Sequence, residues 1–548
     1  MKNIIIVIVL LSIFTSLAIT SMIQKSGTPD EIAHQITSGV IMLKKGDLKY
    51  DTAHPPLARY IIAAPVVLFL NPKLPDKKQV WRVDDRAEFA RDFFFKYNNQ
   101  SKQMLFVSRL MVVMLGVLCG LLIFLWTKKL YGVKVALFSL FLYVLSPNIL
   151  AHTRLATTDL AAAFFILLSC YAYWLFFKNS NKLNLILAGL CLGLAQLTKF
   201  SALILYPIFT LLFFIYLPKV NRAKRKKLFL GTAAIFFLSI IIIWAGYGFS
   251  REPLLKDAMR QQEKLELIDS KLAVLLPVWN DDIREKINSF LLNEPIPCSE
   301  YILGILGLIR HNKIGHGTYF LGKHSGEANI LYFPVAFLIK TPIPLILLLI
   351  IGIFVLVKNR FTINEYFLIL PPAIYFSIAI FSNIQIGLRH ILPIYPFLFI
   401  IAASSLYMFR YKAFKLVISV LCLWYVVSSF AIWPDYLSYF NESIGRADNG
   451  WRYLADSNID WGQDLPALSR YMADNEIEEV TMKYFGQDAP DRYGIDFKEF
   501  ETEDFQNPQE EVYAISVNSV TSIDWARNRR PTAKAGKSIF IYDLRNRE

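Results

Sequence analysis

Charge is scarce in this sequence. Charged residues fill 19% of its 548 positions, against 55% for hydrophobic ones, and the mean hydropathy is +0.39. That balance excludes an ordinary soluble globule of this size, and the long uncharged runs that recur through most of the chain define a polytopic membrane protein. Cysteine is scarce too, with five residues in all. Cys119, Cys170, Cys191 and Cys422 lie inside apolar segments and only Cys298 in a polar loop, which excludes a disulfide framework and a metal-type spacing. No internal repeat is visible. The net charge of +14 comes from short basic clusters between apolar runs, so it is a topology signal and calls for no nucleic acid.

What is present is a series of apolar spans. The run 4–23 after Lys2 is long for a signal peptide and leaves no small-x-small cleavage pattern, so it reads as an uncleaved first span. The stretch 60–70 carries Pro65 and is too short to cross. It and the aromatic segment 329–340, which Pro342 and Pro344 break from the next span, read as interfacial helices. Further spans fall at 105–126, 133–149, 159–177, 184–198, 201–217, 228–247, 341–357, 363–382, 391–408 and 414–432, giving about eleven transmembrane helices.

Threaded alternately, these spans put Lys2, Lys128, Lys129, Lys178, Lys182, Lys219, Arg222, Lys224 to Lys227, Lys358, Arg360, Arg410, Lys412 and Lys415 on one side. No Asp or Glu lies in those connections. This asymmetry makes the N-terminus cytoplasmic and turns the loops 24–104 and 248–330 outward, together with the tail from Trp433. The second loop holds a helix-like charged stretch, Leu254–Leu275. The expected organisation is a membrane domain over 1–432 and an extracytoplasmic C-terminal domain over 433–548. In the tail, 463–474 has a helical pattern while 479–485, 511–517 and 538–543 read as strands, which makes a small α/β domain.

Ionisable residues at the membrane boundary are functional candidates, because placing them there is costly. Asp30 and Glu31 follow the first span, His54 and Arg59 lie in the first outer loop, and Arg154 and Asp159 precede the fourth span. Lys199 sits between the fifth and sixth spans, and Arg389 with His390 before the tenth; all lie at outer ends. Carboxylates beside several cations suit acid/base work next to an anionic group such as phosphate. Plainer readings stand beside this one. Asp30 and Glu31 also suit solvated loop charges, Arg154 and Asp159 a structural salt bridge one turn apart, and Lys199 and Arg389 anchors to lipid headgroups. His316 and His324 read better as solvated than as metal ligands. The polar, aromatic stretches Tyr436–Asn441 and Trp451–Asp464 suit sugar binding and docking on the membrane part equally.

In these motifs the chain resembles the family 39 glycosyltransferases, which include protein O-mannosyltransferases and the aminoarabinose transferases of lipid A. The likeness lies in Asp30-Glu31, His54-Pro55-Pro56-Leu57, the run Thr153 to Asp159, Leu197-Thr198-Lys199-Phe200 and the run Gly387 to Pro393, and it covers residues 1 to about 432. It implies the glycosyltransferase C fold, a sugar donor on a polyprenyl phosphate, transfer on the outer face and inversion at the anomeric carbon. By the same likeness Asp30 would be the general base and Glu31 would position the acceptor or the base. Arg389 would hold the leaving phosphate, with Lys199 and Arg59 beside it, and His54, Arg154, Asp159 and His390 would shape the site. His54 stands where aminoarabinose transferases have a Lys, and there the sequence is closer to the mannosyltransferases. No cofactor is required and a divalent cation is optional. The partners implied are the lipid-linked donor, an acceptor protein, lipid or glycan, and the membrane lipids.

The rival of another class is a transporter or flippase of lipid-linked glycans. It would place charges near mid-membrane and often show repeated halves, and the sequence has neither. An oligosaccharyltransferase-like protein would carry a Trp-Trp-Asp type motif, which Asp460-Trp461-Gly462 does not match. Without eukaryotic sorting signals, the expected location is a prokaryotic cell (inner) membrane.

Overall fold

The computed structural model describes residues 2–75, 86–254, 293–358 and 361–545. Each expected span has a helical counterpart, and they differ in kind. Eight are long and apolar enough to cross a bilayer alone: Lys2–Met22, Ser101–Tyr131, Thr158–Lys178, Phe200–Lys219, Arg222–Gly246, Ile363–Ile380, Leu388–Arg410 and Lys412–Ala431. Two are bent pairs, Val133–Val144 with Pro147–Thr153 at 63° and Tyr332–Lys340 with Ile343–Lys358 at 108°. Pro147 and Pro342 explain the breaks, since proline removes a helical donor and keeps the preceding residue out of the α region. The last, Lys182–Gln196, has 15 residues, or about 22 Å at 1.5 Å per residue, against a hydrocarbon core of about 30 Å. It packs closely on Arg222–Gly246: a Cβ on Gly193 would lie 2.5 Å from Ile242 Cβ, the close backbone approach that small residues allow.

Both expected interfacial helices form. The segment Tyr332–Lys340 lies across its neighbour at the 108° bend. Pro56–Pro65 runs on into Val66–Leu70, where the apolar side chains of Leu68 and Phe69 are exposed, as an interfacial helix requires. The helix-like stretch Leu254–Leu275 lies, beyond Leu254, outside the described residues.

The tail carries a five-stranded mixed sheet. Its strands are β1 (Glu479–Lys483), β2 (Asp496–Glu499), β3 (Val512–Ser516), β4 (Ala533–Ala535) and β5 (Ile539–Asp543), in the order β2-β1-β3-β5-β4. β1 runs parallel to β2 and β3, while β5 is antiparallel to β3 and β4. Alternation along a strand sends successive side chains to opposite faces. Val512, Ala514, Ile539 and Ile541 accordingly pack with the helix Leu465–Asp474, whereas Tyr513, Ile515, Phe540 and Tyr542 join the main core.

The tail docks through polar contacts as well. Lys25 Nζ bridges Asp435 and Asp464, Ser26 N–H donates to Gln463 O at 3.0 Å, and Gly27 N–H donates to Asp488 Oδ2 at 2.6 Å. The buried Lys340 ammonium donates to the carbonyls of Leu437, Tyr439 and Asn458. The Tyr436–Asn441 and Trp451–Asp464 stretches, open to two readings in the sequence, are therefore largely a docking surface, with Tyr436, Trp451, Leu454 and Ile459 buried.

Candidate active site

Asp30 and Glu31 open an eight-residue π-helical stretch, Asp30–Thr37. Neighbouring residues on a helix point in different directions, and these two carboxylates meet different partners. Glu31 is fully buried. Its Oε1 accepts from Arg109 Nε and Ala156 N–H, both at 2.7 Å, and its Oε2 from Arg109 Nη2 at 2.7 Å and Thr28 N–H at 3.0 Å. Such a two-pronged pair is strong and fixed in geometry. Arg109 also donates to the carbonyls of Met22, Lys25 and Ser26, so the pair locks the exit of the first span. Both oxygens of Glu31 are thus occupied within the protein, which leaves it no direct part in proton transfer and agrees with the positioning role that the family likeness implies.

Asp30 keeps its side chain 22% exposed, and Arg389 Nη1 donates to its Oδ2 at 2.6 Å. Burial opposes ionisation of Asp30, but Arg389, with His34, holds its carboxyl below the ordinary carboxylate range. The Arg389 guanidinium lies over the Trp461 ring, 4.2 Å from its centroid. Among the described residues, Arg389 Nε and His390 Nε2 are buried without a hydrogen-bond partner, which leaves two polar groups for a ligand.

A second pair stands beside the first. Lys199 Nζ donates to Asp159 Oδ1 at 2.6 Å. The salt bridge between Arg154 and Asp159 that the spacing allowed does not form, and Lys199 is no headgroup anchor. Leu57 N–H donates to Leu197 O at 2.9 Å, which brings the His54 loop against the Lys199 turn. Burial pushes the His54 imidazole down to about 3, with Arg59 and Lys199 adding to it against Asp51 and Asp30. His54 is thus a neutral group. His152, which the sequence reading missed, lies within Coulombic reach of Asp159, Arg389 and Lys199.

Two expected site residues lie elsewhere. Arg59 is fully buried, pairs with Asp51 Oδ2 at 2.8 Å and donates to the carbonyls of Asp51 and His54. It braces the loop, and its ion pair in this structure is to Asp51. Gly39 makes this possible, since a Cβ there would lie 2.7 Å from Arg59 O. Arg154 donates to Pro434 O at 2.7 Å and holds the tail, so its expected site-shaping role is indirect. His324 meets Thr521 Oγ1 at 3.0 Å and His316 the Gly317 carbonyl at 3.0 Å; the two do not meet each other. The structure therefore brings together Asp30, His54, Asp159, Lys199, Arg389 and His390. Arg109 had a visible signal, an arginine inside the apolar run 105–126. His152 stood two residues before Arg154 with none.

Residues 98–244, a little over a quarter of the chain, match the dolichyl-phosphate-mannose-protein mannosyltransferase family. Over that stretch the family likeness read from the motifs is borne out, and with the apolar spans it makes the chain a multi-pass membrane protein. An uncharacterised protein of Aquifex aeolicus (strain VF5) is 30% identical over 152 residues, which span 28% of this chain and 30% of that protein. Among solved structures, ArnT from Cupriavidus metallidurans bound to undecaprenyl phosphate is similar with 11% identity and a TM-score of 0.49, covering 98% of this chain and 97% of its own. The Archaeoglobus fulgidus oligosaccharyltransferase AglB, with an inhibitory peptide and a dolichol-phosphate, is similar with 14% identity and a TM-score of 0.48, covering 93% and 61%.

Proposed function

We propose that the protein is a membrane glycosyltransferase that moves a sugar from a polyprenyl-phosphate donor to an acceptor hydroxyl on the extracytoplasmic face. The observation that carries this reading is the partly exposed Asp30 carboxylate held 2.6 Å from the Arg389 guanidinium, with the Lys199–Asp159 pair beside it. A sugar linked through a phosphodiester has a good leaving group, so the protein's work is to take a proton from the acceptor and neutralise the departing phosphate. Asp30, ionised by its neighbours, accepts the hydroxyl proton as the acceptor oxygen bonds to the anomeric carbon. The bond from that carbon to the phosphate oxygen breaks from the opposite side, which inverts the configuration. Arg389 and His390 meet the phosphate, Lys199 adds positive potential, and Asp159 holds Lys199 in place. Because these groups suffice, a divalent cation is an optional addition.

The family match supports a mannosyl-like sugar, and the basic connections on the opposite side support a cytoplasmic N-terminus with the C-terminal domain outside. Mass spectrometry of co-purifying lipids tests the reading. Asp30→Asn is expected to retain a glycosylated polyprenyl phosphate, while the wild type carries the bare polyprenyl phosphate. The same intact lipid-linked glycan on both would instead support a transporter.

A further inference from the structure

We propose that the C-terminal tail completes the donor site, with Trp461 as the positioning residue that fixes the Arg389 guanidinium for the leaving phosphate. The inference rests on the assignment of Arg389 to that phosphate. It starts from a long arginine side chain whose one ion pair, to Asp30, leaves its plane free to rotate. A flat aromatic ring under a guanidinium removes that freedom, because the plane stacks on the ring and its edge nitrogens then point in fixed directions. Trp461 supplies the ring at 4.2 Å and is itself only 3% exposed.

The rest of the loop grips the backbone that carries Arg389. Ser457 Oγ donates to Ile386 O at 2.5 Å, and Leu388 N–H donates to Asn458 Oδ1 at 3.0 Å. Between those two residues stands Gly387, where a Cβ would lie 2.3 Å from Ser457 Oγ; only glycine permits so close an approach.

The loop is in turn fixed from both sides. Asn458 donates to Tyr332 OH at 2.9 Å, and its carbonyl accepts from Lys340. Asp456 N–H donates to Asn518 Oδ1 at 2.7 Å, just beyond β3 of the tail sheet, and Trp461 N–H to Gln463 Oε1 at 2.7 Å. Asp456 sits at φ 56°, a left-handed conformation that a side-chain-bearing residue keeps only where its surroundings impose it. A ring that merely filled the seam between tail and membrane part would have no need to face the guanidinium. The arrangement makes docking of the tail a condition for a formed phosphate site.

The test is a double-mutant cycle on the full-length protein in detergent, with undecaprenyl phosphate as the binding probe and thermal unfolding recorded for every variant. Trp461→Ala is expected to weaken binding on the order of tenfold, and Trp461→Phe, which keeps a ring, to bind close to wild type. On an Arg389→Ala background, Trp461→Ala is expected to cost nothing further, since both act through one contact. Wild-type binding by Trp461→Ala, or losses that add in the double variant, would overturn the inference. If Trp461→Ala fails to fold, Trp461→Leu replaces it in the cycle, judged by the same two outcomes. If Arg389→Ala binds the probe like wild type, the phosphate assignment itself fails. If it loses binding while Trp461→Ala does not, only the role of the tail fails.

Discussion

Two adjacent carboxylates, alike in sequence, have opposite surroundings. Glu31 has four hydrogen-bond donors and no exposure, while Asp30 has one cation and an open side. Glu31→Gln breaks the charge pairing of a buried arginine, so a loss of about 3–5 kcal/mol is expected, measured by thermal or denaturant unfolding. Asp30→Asn also takes the partner of an arginine, but of a pair that solvent reaches, and is expected to lower the unfolding midpoint less than Glu31→Gln. In the proposed mechanism activity depends on the ionised Asp30, whose carboxyl lies below the ordinary range. The transfer rate is therefore expected to hold as pH falls through that range and to drop only below it. His54, neutral with its imidazole near 3, contributes no limb near its usual value, so His54→Gln is expected to leave the shape of the pH–rate profile unchanged. The motifs made Asp30, Arg389 and Lys199 legible. The burial of Arg59 and Arg154 was not, because a charged residue at a span end looks the same in sequence whether it faces a cleft or a loop carbonyl.

The π-helical stretch Asp30–Thr37 ties Asp30 to the next loop. His34 Nδ1 lies 3.0 Å from Asp51 Oδ2, and Asp51 also holds Arg59. Burial opposes the charged imidazole, but the hydrogen bond and charge of Asp51, with Asp30 and against Arg59, raise its proton affinity above the usual value. A group raised on folding stabilises fully below its unfolded pKa of about 6.5, and that contribution is lost as pH rises through the folded value. With the His34 side chain 41% exposed, the effect is under about 1 kcal/mol. Unfolding midpoints of the wild type are expected to fall on going from about pH 6 to pH 9, and those of His34→Gln to change less; equal slopes would contradict the pairing. At this scale hydropathy placed the spans and proline marked the break at Pro342, while the break at Pro147 fell inside the expected span 133–149 and went unread. The edge strands β2 and β4 went unseen, because Asp496–Glu499 and Ala533–Ala535 lack the apolar alternation that marks a strand.

For the whole molecule, the proposed topology puts the tail outside and the basic connections in the cytoplasm. A cysteine placed at the exposed Glu503 is expected to react with a membrane-impermeant maleimide on intact cells, and one at the exposed Lys226 only after lysis; the reverse pattern would invert the topology. The tail's composition marked three of its strands. Its docking could not be read, since the same tryptophans, asparagines and aspartates suit a sugar or a protein surface. Only the partners of Lys25, Lys340 and Arg389 decide it. The central claim is that Asp30 takes the acceptor proton beside a phosphate held by Arg389, and single-turnover transfer tests it most directly. Purified wild type and Asp30→Asn are compared with a polyprenyl-phosphate mannose donor and an acceptor, and donor binding is measured separately. The account predicts donor binding close to wild type and a transfer rate lower by roughly 10²–10⁴ in Asp30→Asn. A variant that transfers at the wild-type rate would contradict it.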